Sequence, residues 1–340
     1  ITYTVELRNL GQATDHLSLT LSPSAWATSV WDATFSKPVT QALALGTCQT
    51  QTLGLKVTVP PSVTWNSGDV VTLTAQSLTD PTQATQAAFH TKAPAPILLV
   101  DDHRWYDTQA DYRAALEANG VPYDVWRIVP GPQPDTHSPS PQRLQRYLAV
   151  IWFTAYDWYG SLTPNDERTL ATYLDGGGRL LLSSQDYLST NDVTDFATQY
   201  LGVANYTQGL TTTQVVGAVG NPVGAGTGPL DLAYPFRNRS DSLKPLPAAP
   251  PAFWGQHAQP VALTLEQSPW KTTFFAFPLE AFSPEDMAAT VGRTVDWLSP
   301  LGDSTFGVHR PVVAAGEQLV YTLQIRNAGA DSLGTVTLSN

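Results

Sequence analysis

Cysteine is almost missing from this 340-residue chain: Cys48 stands alone, which excludes an intrachain disulfide and any zinc knuckle built on paired cysteines. From its neighbours in LGTCQTQ, Cys48 is expected as a small residue half-buried in a strand. Charge is scarce too. Asp, Glu, Lys and Arg make up 14% of the residues, against roughly 25% in an average soluble protein. No run of Lys or Arg occurs and the formal net charge is −11, so the electrostatic footprint of a nucleic-acid binder is missing and an anionic membrane is a poor partner. No apolar run reaches the ~18 residues of a spanning helix, so direct membrane insertion is not expected. No cationic leader with a small-residue cleavage site is present either. The chain opens on Ile1 inside a strand-like pattern, and the expectation is a piece of a longer polypeptide whose export signal and anchor lie outside it.

What is present is a surface of Thr, Ser, Gln, Gly and Pro over cores supplied by 42% hydrophobic residues. That profile points to an exported bacterial protein, extracellular or at the cell surface. The length exceeds the roughly 100 to 200 residues of one domain and predicts two complete domains and a fragment.

Residues 1–93 alternate apolar and polar side chains in YTVELRN, HLSLTLS, WATSVW, TLGLKVTVP, DVVTLTAQS and AAFHTK. Period-two alternation marks strands with one buried face, and the Pro-, Gly-, Asn- and Asp-rich links between them are turn chemistry. A β-sandwich is predicted. YTVELRNLG, Tyr3 to Gly11, recurs as YTLQIRNAG, Tyr321 to Gly329, with Tyr, Thr, Arg, Asn and Gly in register. The order Tyr-Thr-x-x-x-x-Asn-x-Gly, WATSVW, VTVPPSV, DVVTLTAQS resembles the immunoglobulin-like repeats strung along bacterial surface proteins. The resemblance implies that residues 1–93 lack the family's first strand. It also implies that residues 301–340 begin a further repeat, led in by GVHRPVVAAGEQLV. Such cut ends invite strand exchange with a neighbouring molecule.

Residues 94–300 read differently. ILLVDD is a continuous apolar run ending in two acids, as in a strand buried on both faces. DTQADYRAALEANG reads as a helix stopped by glycine, and VPYDVWRI and LAVIWFT as strands. In LTPNDERTLATYLDGGGRLLLSS, Thr163 is the predicted N-cap, Pro164 the first helical residue and Gly176 to Gly178 the exit into a strand. KTTFFAFPLE and SPEDMAATVGRTVDWL close the pattern as strand and helix. Alternating strands and helices predict a parallel sheet covered on both faces; residues 203–270 are Gly- and Pro-rich and their strands cannot be ordered. The motifs ILLVDD, YRAALEANGVPYDVW, VIWFT, LTPNDERTLATYLDGGGRLLLSSQDYL and FFAFPLEAF resemble the class I glutamine-amidotransferase-like domains of exported multidomain proteins. The fold class expected is therefore multidomain. An immunoglobulin-like β-sandwich precedes a three-layer α/β domain with a mostly parallel, flavodoxin- or amidotransferase-like sheet, and the start of a second sandwich follows.

Ligands in such sheets gather at the carboxyl ends of strands, here Asp101, Asp102 and His103; Thr154, Tyr156 and Asp157; and Ser183, Ser184, Gln185 and Asp186. A phosphoacceptor receiver is excluded because the third strand ends in Trp152, Phe153 and Thr154, with no aspartate. The amidotransferase resemblance implies a cysteine nucleophile in LLLSSQDYL, yet that turn holds none. The residues two positions from Ser183 or Ser184 are Leu181 with Gln185, or Leu182 with Asp186, whereas a strained nucleophile elbow needs small flanks. A rescued hydrolase would use Ser184 with His257 and Glu280. A shared Ca²⁺ or Mg²⁺ would sit on Asp101, Asp102 and Asp186, the competing role for these acids being helix capping. Trp105, Tyr106, Tyr156, Trp158, Tyr159 and Tyr187 follow the strand ends and form a candidate rim for stacking on sugar or peptide, or else part of the core. The expected function is a non-catalytic structural or recognition segment of a large surface or secreted protein. Its expected partners are neighbouring domains of the same polypeptide and an extracellular glycan or peptide. The alternative is a hydrolase or carbohydrate-binding domain acting through the cleft of Asp101, Asp102, His103, Trp105, Tyr156, Ser184, Gln185, Asp186 and Tyr187.

Overall fold

The computed structural model describes residues 1–60, 63, 67–128, 138–299, 305–308 and 321–325. The chain divides into two compact units, Ile1–Pro94 and Ala95–Asn340. Throughout, β-sheets dominate and helices are few and short.

The first unit holds strands β1 Thr2–Arg8, β2 Asp15–Leu21, β3 Ala27–Asp32, β4 Leu43–Leu45, β5 Thr50–Thr58, β6 Gly68–Ser77 and β7 Ala84–Lys92. They form a three-stranded sheet, β1-β5-β3, and a four-stranded sheet, β4-β2-β6-β7, with antiparallel pairing throughout. Val30, Leu53 and Leu55 of one sheet meet Val71 and Leu73 of the other. Strand β4 escapes the sequence pattern because three residues are too few to alternate. Cys48 is not half-buried in a strand. It is exposed in a tight turn closed by Gln49 N–H on Gly46 O, with φ 56°.

The recurring Tyr and Asn of the first motif are anchors. Tyr3 hydroxyl donates to His90 O at 2.9 Å, and its ring meets Phe89 at 5.2 Å, which joins the two sheets. Asn9, 8% exposed, donates through Nδ2 to Ala13 O and Leu45 O, and its Oδ1 accepts from Gly11 N–H. One side chain thus closes the turn after β1 and ties it to β4. Loss of these bonds removes a donor from the buried Leu45 carbonyl and opens the turn. Asn9→Ala is expected to lower the unit's unfolding free energy by about 1–3 kcal/mol, read by urea denaturation of the full chain; no shift in midpoint would contradict the anchor role.

The second unit contains β8 Ile97–Asp101, α1 Gln109–Ala118, β9 Tyr123–Arg127, α2 Pro141–Leu144, β10 Ala149–Phe153, α3 Pro164–Asp175, β11 Arg179–Ser183, α4 Tyr187–Asn191 and α5 Asp195–Leu201. Next come β12 Val203–Thr207, β13 Gln214–Gly217, β14 Leu230–Asp231, β15 Ser242–Pro245, β16 Pro251–Gly255, β17 Pro260–Gln267, β18 Trp270–Phe275 and α6 Pro284–Leu298. Nine strands make one sheet in the order β14-β13-β16-β17-β18-β11-β10-β8-β9, while β12 and β15 pair separately. The sheet is mixed rather than mostly parallel. From β18 to β9 the pairing is parallel, and from β14 to β18 it is antiparallel. The reason lies in the connections. Helices carry the chain between the early strands, whereas 203–270 returns through hairpins, which only antiparallel neighbours can use.

Strands β8, β10 and β11 are buried along their whole length, and alternate residues supply two cores. Leu98, Val100, Val150, Trp152, Leu180 and Leu182 pack with Leu170 and Leu174 of α3 and Leu201 of α5. Ile97, Leu99, Ile151, Phe153 and Leu181 pack with Tyr112 and Leu116 of α1 and Val291 and Leu298 of α6. Helix α3 opens on a capping box: Thr163 Oγ1 accepts from Asp166 N–H, and Asp166 Oδ2 accepts from Thr163 N–H. It leaves through Gly178, where a Cβ would lie 2.5 Å from the Tyr173 ring.

Two buried cations sit at the amino ends of the strands. Arg179, 1% exposed, donates from Nη1 to Leu298 O at 2.9 Å, and Lys271 Nζ donates to Trp297 O at 3.4 Å. They satisfy the last carbonyls of α6 and complement its negative pole, since α6 carries no basic residue in its last turn. Strand β19 Thr305–Val308 pairs antiparallel with β20 Tyr321–Gln324. Apart from these strands and Ile325, 301–340 lies outside the described residues, and with it most of the lead-in segment, the second Asn-x-Gly and the strand-exchange expectation.

Candidate functional site

The candidate residues sit at the carboxyl ends of β8, β10 and β11 and just past them, where the ladder runs beyond the strands. Asp102 N–H donates to Phe153 O, Thr154 N–H to Ser183 O and Ser184 N–H to Phe275 O. Side chains there keep the two-sided alternation of the strands. Asp101 therefore joins the α1 side and Asp102 the α3 side, and the adjacent acids are not a pair.

On the α1 side Asp101 is fully buried. Its Oδ1 is hydrogen-bonded to His103 Nδ1, and its Oδ2 accepts from Gln109 Nε2 at 2.6 Å. Arg127 Nη2 lies 3.3 Å from His103 Nε2. Ligand atoms of Asp101, His103 and the exposed Asp107 all lie within 4.8 Å of one another. The expected set of Asp101, Asp102 and Asp186 is not gathered, because the sheet itself separates the first two. A site containing a histidine nitrogen also suits transition ions better than Ca²⁺ or Mg²⁺.

On the α3 side Asp102 Oδ2 accepts from the Trp152 indole N–H at 2.9 Å. Burial, then repulsion from Asp166, holds its carboxyl well above the usual carboxylate range against the opposing Trp152 bond, with Asp157 and Asp101 adding to the rise. Asp157 Oδ1 accepts from the amides of Tyr159 and Gly160 and meets Arg104 Nε at 3.3 Å. That bond set orders the loop after β10.

The serine triad is not assembled. Thr154 Oγ1 donates to Ser184 Oγ at 2.7 Å, and both residues are buried. His257 is exposed in the β16–β17 turn, where its N–H donates to Gln259 Oε1. Glu280 takes its bonds from Tyr112 hydroxyl at 2.6 Å and Thr108 Oγ1 at 3.1 Å, on the α1 side. Neither Ser183 nor Ser184 adopts positive φ. Ser184 still belongs to the ladder through Phe275, so no strained elbow lifts its hydroxyl. Gln185, 1% exposed, works as a strap: Nε2 donates to Arg237 O and Asp186 Oδ2, and Oε1 accepts from Arg239 N–H.

Asp186 and Asp241 are buried beside that strap. Gly209 N–H donates to Asp241 Oδ1 at 2.8 Å. Burial raises the Asp186 carboxyl to about 6 and that of Asp241 to about 7, with Asp186 adding repulsion to the latter. Burial likewise raises Glu280 to about 7. Unfolded carboxyls titrate near ~4, so between about 4 and about 7 the native state binds more protons than the unfolded one. Stability conferred by these groups therefore falls as pH rises through that window and levels off above it. Amide exchange in β11 of the full chain is expected to quicken from pH 5 to pH 8 beyond the intrinsic base-catalysed rate. Asp241→Asn and Glu280→Gln are each expected to flatten that excess; increasing protection over the window would contradict the assignment.

The aromatics divide into two sets. Trp105 and Trp158, each 54% exposed, Tyr159, 60%, and Tyr106, 44%, face solvent. Trp105 and Trp158 stack with centroids 6.2 Å apart and planes 21° apart. The Arg104 guanidinium lies 5.9 Å from the Trp105 ring and 5.1 Å from that of Tyr159. Tyr106, the half-buried Tyr156 and Phe236 continue the cluster. Tyr187 is not part of the rim. It is fully buried, edge-on to Phe274, and donates to Glu167 Oε1, because the start of α4 turns it into the α3-side core. Sequence reasoning missed Arg104, Asp107, Gln109, Arg127 and Asp241. Of these only Arg104 carried a signal, its place directly before Trp105.

No protein-family model and no curated protein matches the chain. Among solved structures, a GMP synthase component from Thermoplasma acidophilum matches over 60% of this chain and 96% of that one, at 14% identity and TM-score 0.40. A glutamine amidotransferase from Methylobacillus flagellatus matches over 55% of this chain and 70% of its own, at 14% identity and TM-score 0.36. The exo-β-1,4-mannosidase Op5Man5 from Opitutaceae bacterium strain TAV5 matches 60% of this chain at 15% identity and TM-score 0.38, the match spanning 35% of that chain. Structural neighbours thus include glutamine-amidotransferase-like folds at low identity.

Proposed function

We propose that this chain is a recognition segment of an extracellular bacterial multidomain protein. In it a degenerate amidotransferase-like α/β domain, flanked by immunoglobulin-like repeats, binds a glycan through its aromatic rim and performs no catalysis. The observation that carries the reading is the exposed set Trp105, Trp158, Tyr159 and Tyr106 beside Arg104. Flat apolar faces next to a planar cation suit stacking on sugar rings with hydrogen bonds to their hydroxyls.

Two further observations favour binding over turnover. The only cysteine is remote in sequence from the strand ends and exposed in the other unit. Among the described residues, Ser184 has Thr154 as its side-chain partner and no base within hydrogen-bond reach, whereas nucleophilic catalysis needs nucleophile and base within about 3.2 Å. The immunoglobulin-like and amidotransferase-like assignments rest on the motif order and the repeated Tyr-Thr-x-x-x-x-Asn-x-Gly, and the extracellular location rests on composition.

The test is a binding screen of the full chain against cell-wall and plant oligosaccharides and short peptides, repeated with Trp105→Ala and Trp158→Ala. Each variant is expected to weaken glycan binding at least tenfold with an unchanged melting temperature. Binding that survives in both, or ligand turnover that disappears with Ser184→Ala, would contradict the proposal.

A further inference from the structure

We propose that the groove between α1 and α6 is a binding site for a small aliphatic amine, its apolar floor holding the carbon chain and its carboxylates the ammonium group. The groove encloses about 590 Å³, within the ~300–1,000 Å³ of small-molecule sites. Alanines of α1, among them Ala114 and Ala118, face Met287 of α6 and Phe282. Short side chains on one wall leave room for a hydrocarbon.

The polar part of the lining has one sign. Asp111, Glu280 and Glu285 are its charged members, and among the described residues no Lys, Arg or His lines it. Glu280 is 7% exposed and is held by two neutral hydroxyls, those of Tyr112 and Thr108. Asp111 repels it. A buried carboxylate with neutral donors and a like charge nearby is short of positive charge, and a cation supplies it.

The lining also discriminates among cations and excludes anions. Three carboxylates repel a carboxylate or phosphate ligand. A single metal ion needs ligand atoms drawn close together, and among the described residues the metal-competent cluster is Asp101, His103 and Asp107, not this set. An ammonium group on an alkyl stem needs no such convergence: its three N–H donors reach separate acceptors while the stem buries apolar surface. The proposal is independent of the aromatic rim.

The experiment is calorimetric titration of the full chain at pH 8 with n-hexylamine, n-hexanol and hexanoate. Hexylamine is expected to bind at least tenfold more tightly than either, with affinity falling as salt rises. Glu280→Gln is expected to lose at least tenfold. Because Glu280 also braces Tyr112, two variants at exposed positions serve as controls for folding. Asp111→Asn with Glu285→Gln is expected to weaken binding and flatten its salt dependence, and Ala114→Phe to abolish binding by filling the groove. No heat with hexylamine, equal affinity for hexanol, or binding indifferent to both control variants would overturn the proposal.

Discussion

A strand buried on both faces sends successive side chains in opposite directions, and that alternation decides what the carboxyl ends of β8, β10 and β11 can do. It places Asp101 with His103 and Gln109 on the side of α1, and Asp102 with Trp152 on the side of α3. It likewise parts Ser183, whose Oγ accepts from Leu279 N–H, from Ser184, bonded to Thr154. A run that looks like a cluster of acids and hydroxyls in the sequence becomes two half-sites with a sheet between them.

The charges in the second unit are polarised along the strands. Buried acids collect at the carboxyl ends, namely Asp101, Asp102, Asp157 and Asp186, while Arg179 and Lys271 lie buried at the amino ends against the last carbonyls of α6. The cations satisfy backbone groups that would otherwise be orphaned at a buried helix end. The acids are held by indole, imidazole and amide groups, and burial raises the carboxyls of Asp102 and Asp186 above the usual range. This arrangement suits ordering of loops. Asp157 pins the turn that carries Trp158 and Tyr159, and the loop from Asp101 through His103 carries Trp105 and Tyr106.

Much of this is legible in the sequence. The alternating segments of residues 1–93 are strands because each has one face to bury, and Thr163, Pro164 and Gly176 mark a helix whose cap and exit follow local chemistry. What escapes such reading depends on distant contacts. Strand β4 is too short to show a period, and the close backbone approach of Gly217 in β13 to Gly224 in the loop that follows is a tertiary contact that a Gly-rich string does not reveal. Asp241 and Glu280 reach their neighbours from far along the chain. Tyr187 and Trp158 look alike in sequence, and only the direction of the turn after each strand sends one inward and the other out.

If ligand meets the outer aromatic face, as proposed, the interior of the strand ends stays closed to it. Indole N–H resonances of the ten tryptophans, followed by nitrogen-15 NMR during titration with a bound oligosaccharide, test it directly. The account predicts that Trp105 and Trp158 shift while Trp152, buried and donating to Asp102, holds its position. A perturbation centred on Trp152 with the other two unmoved would contradict it.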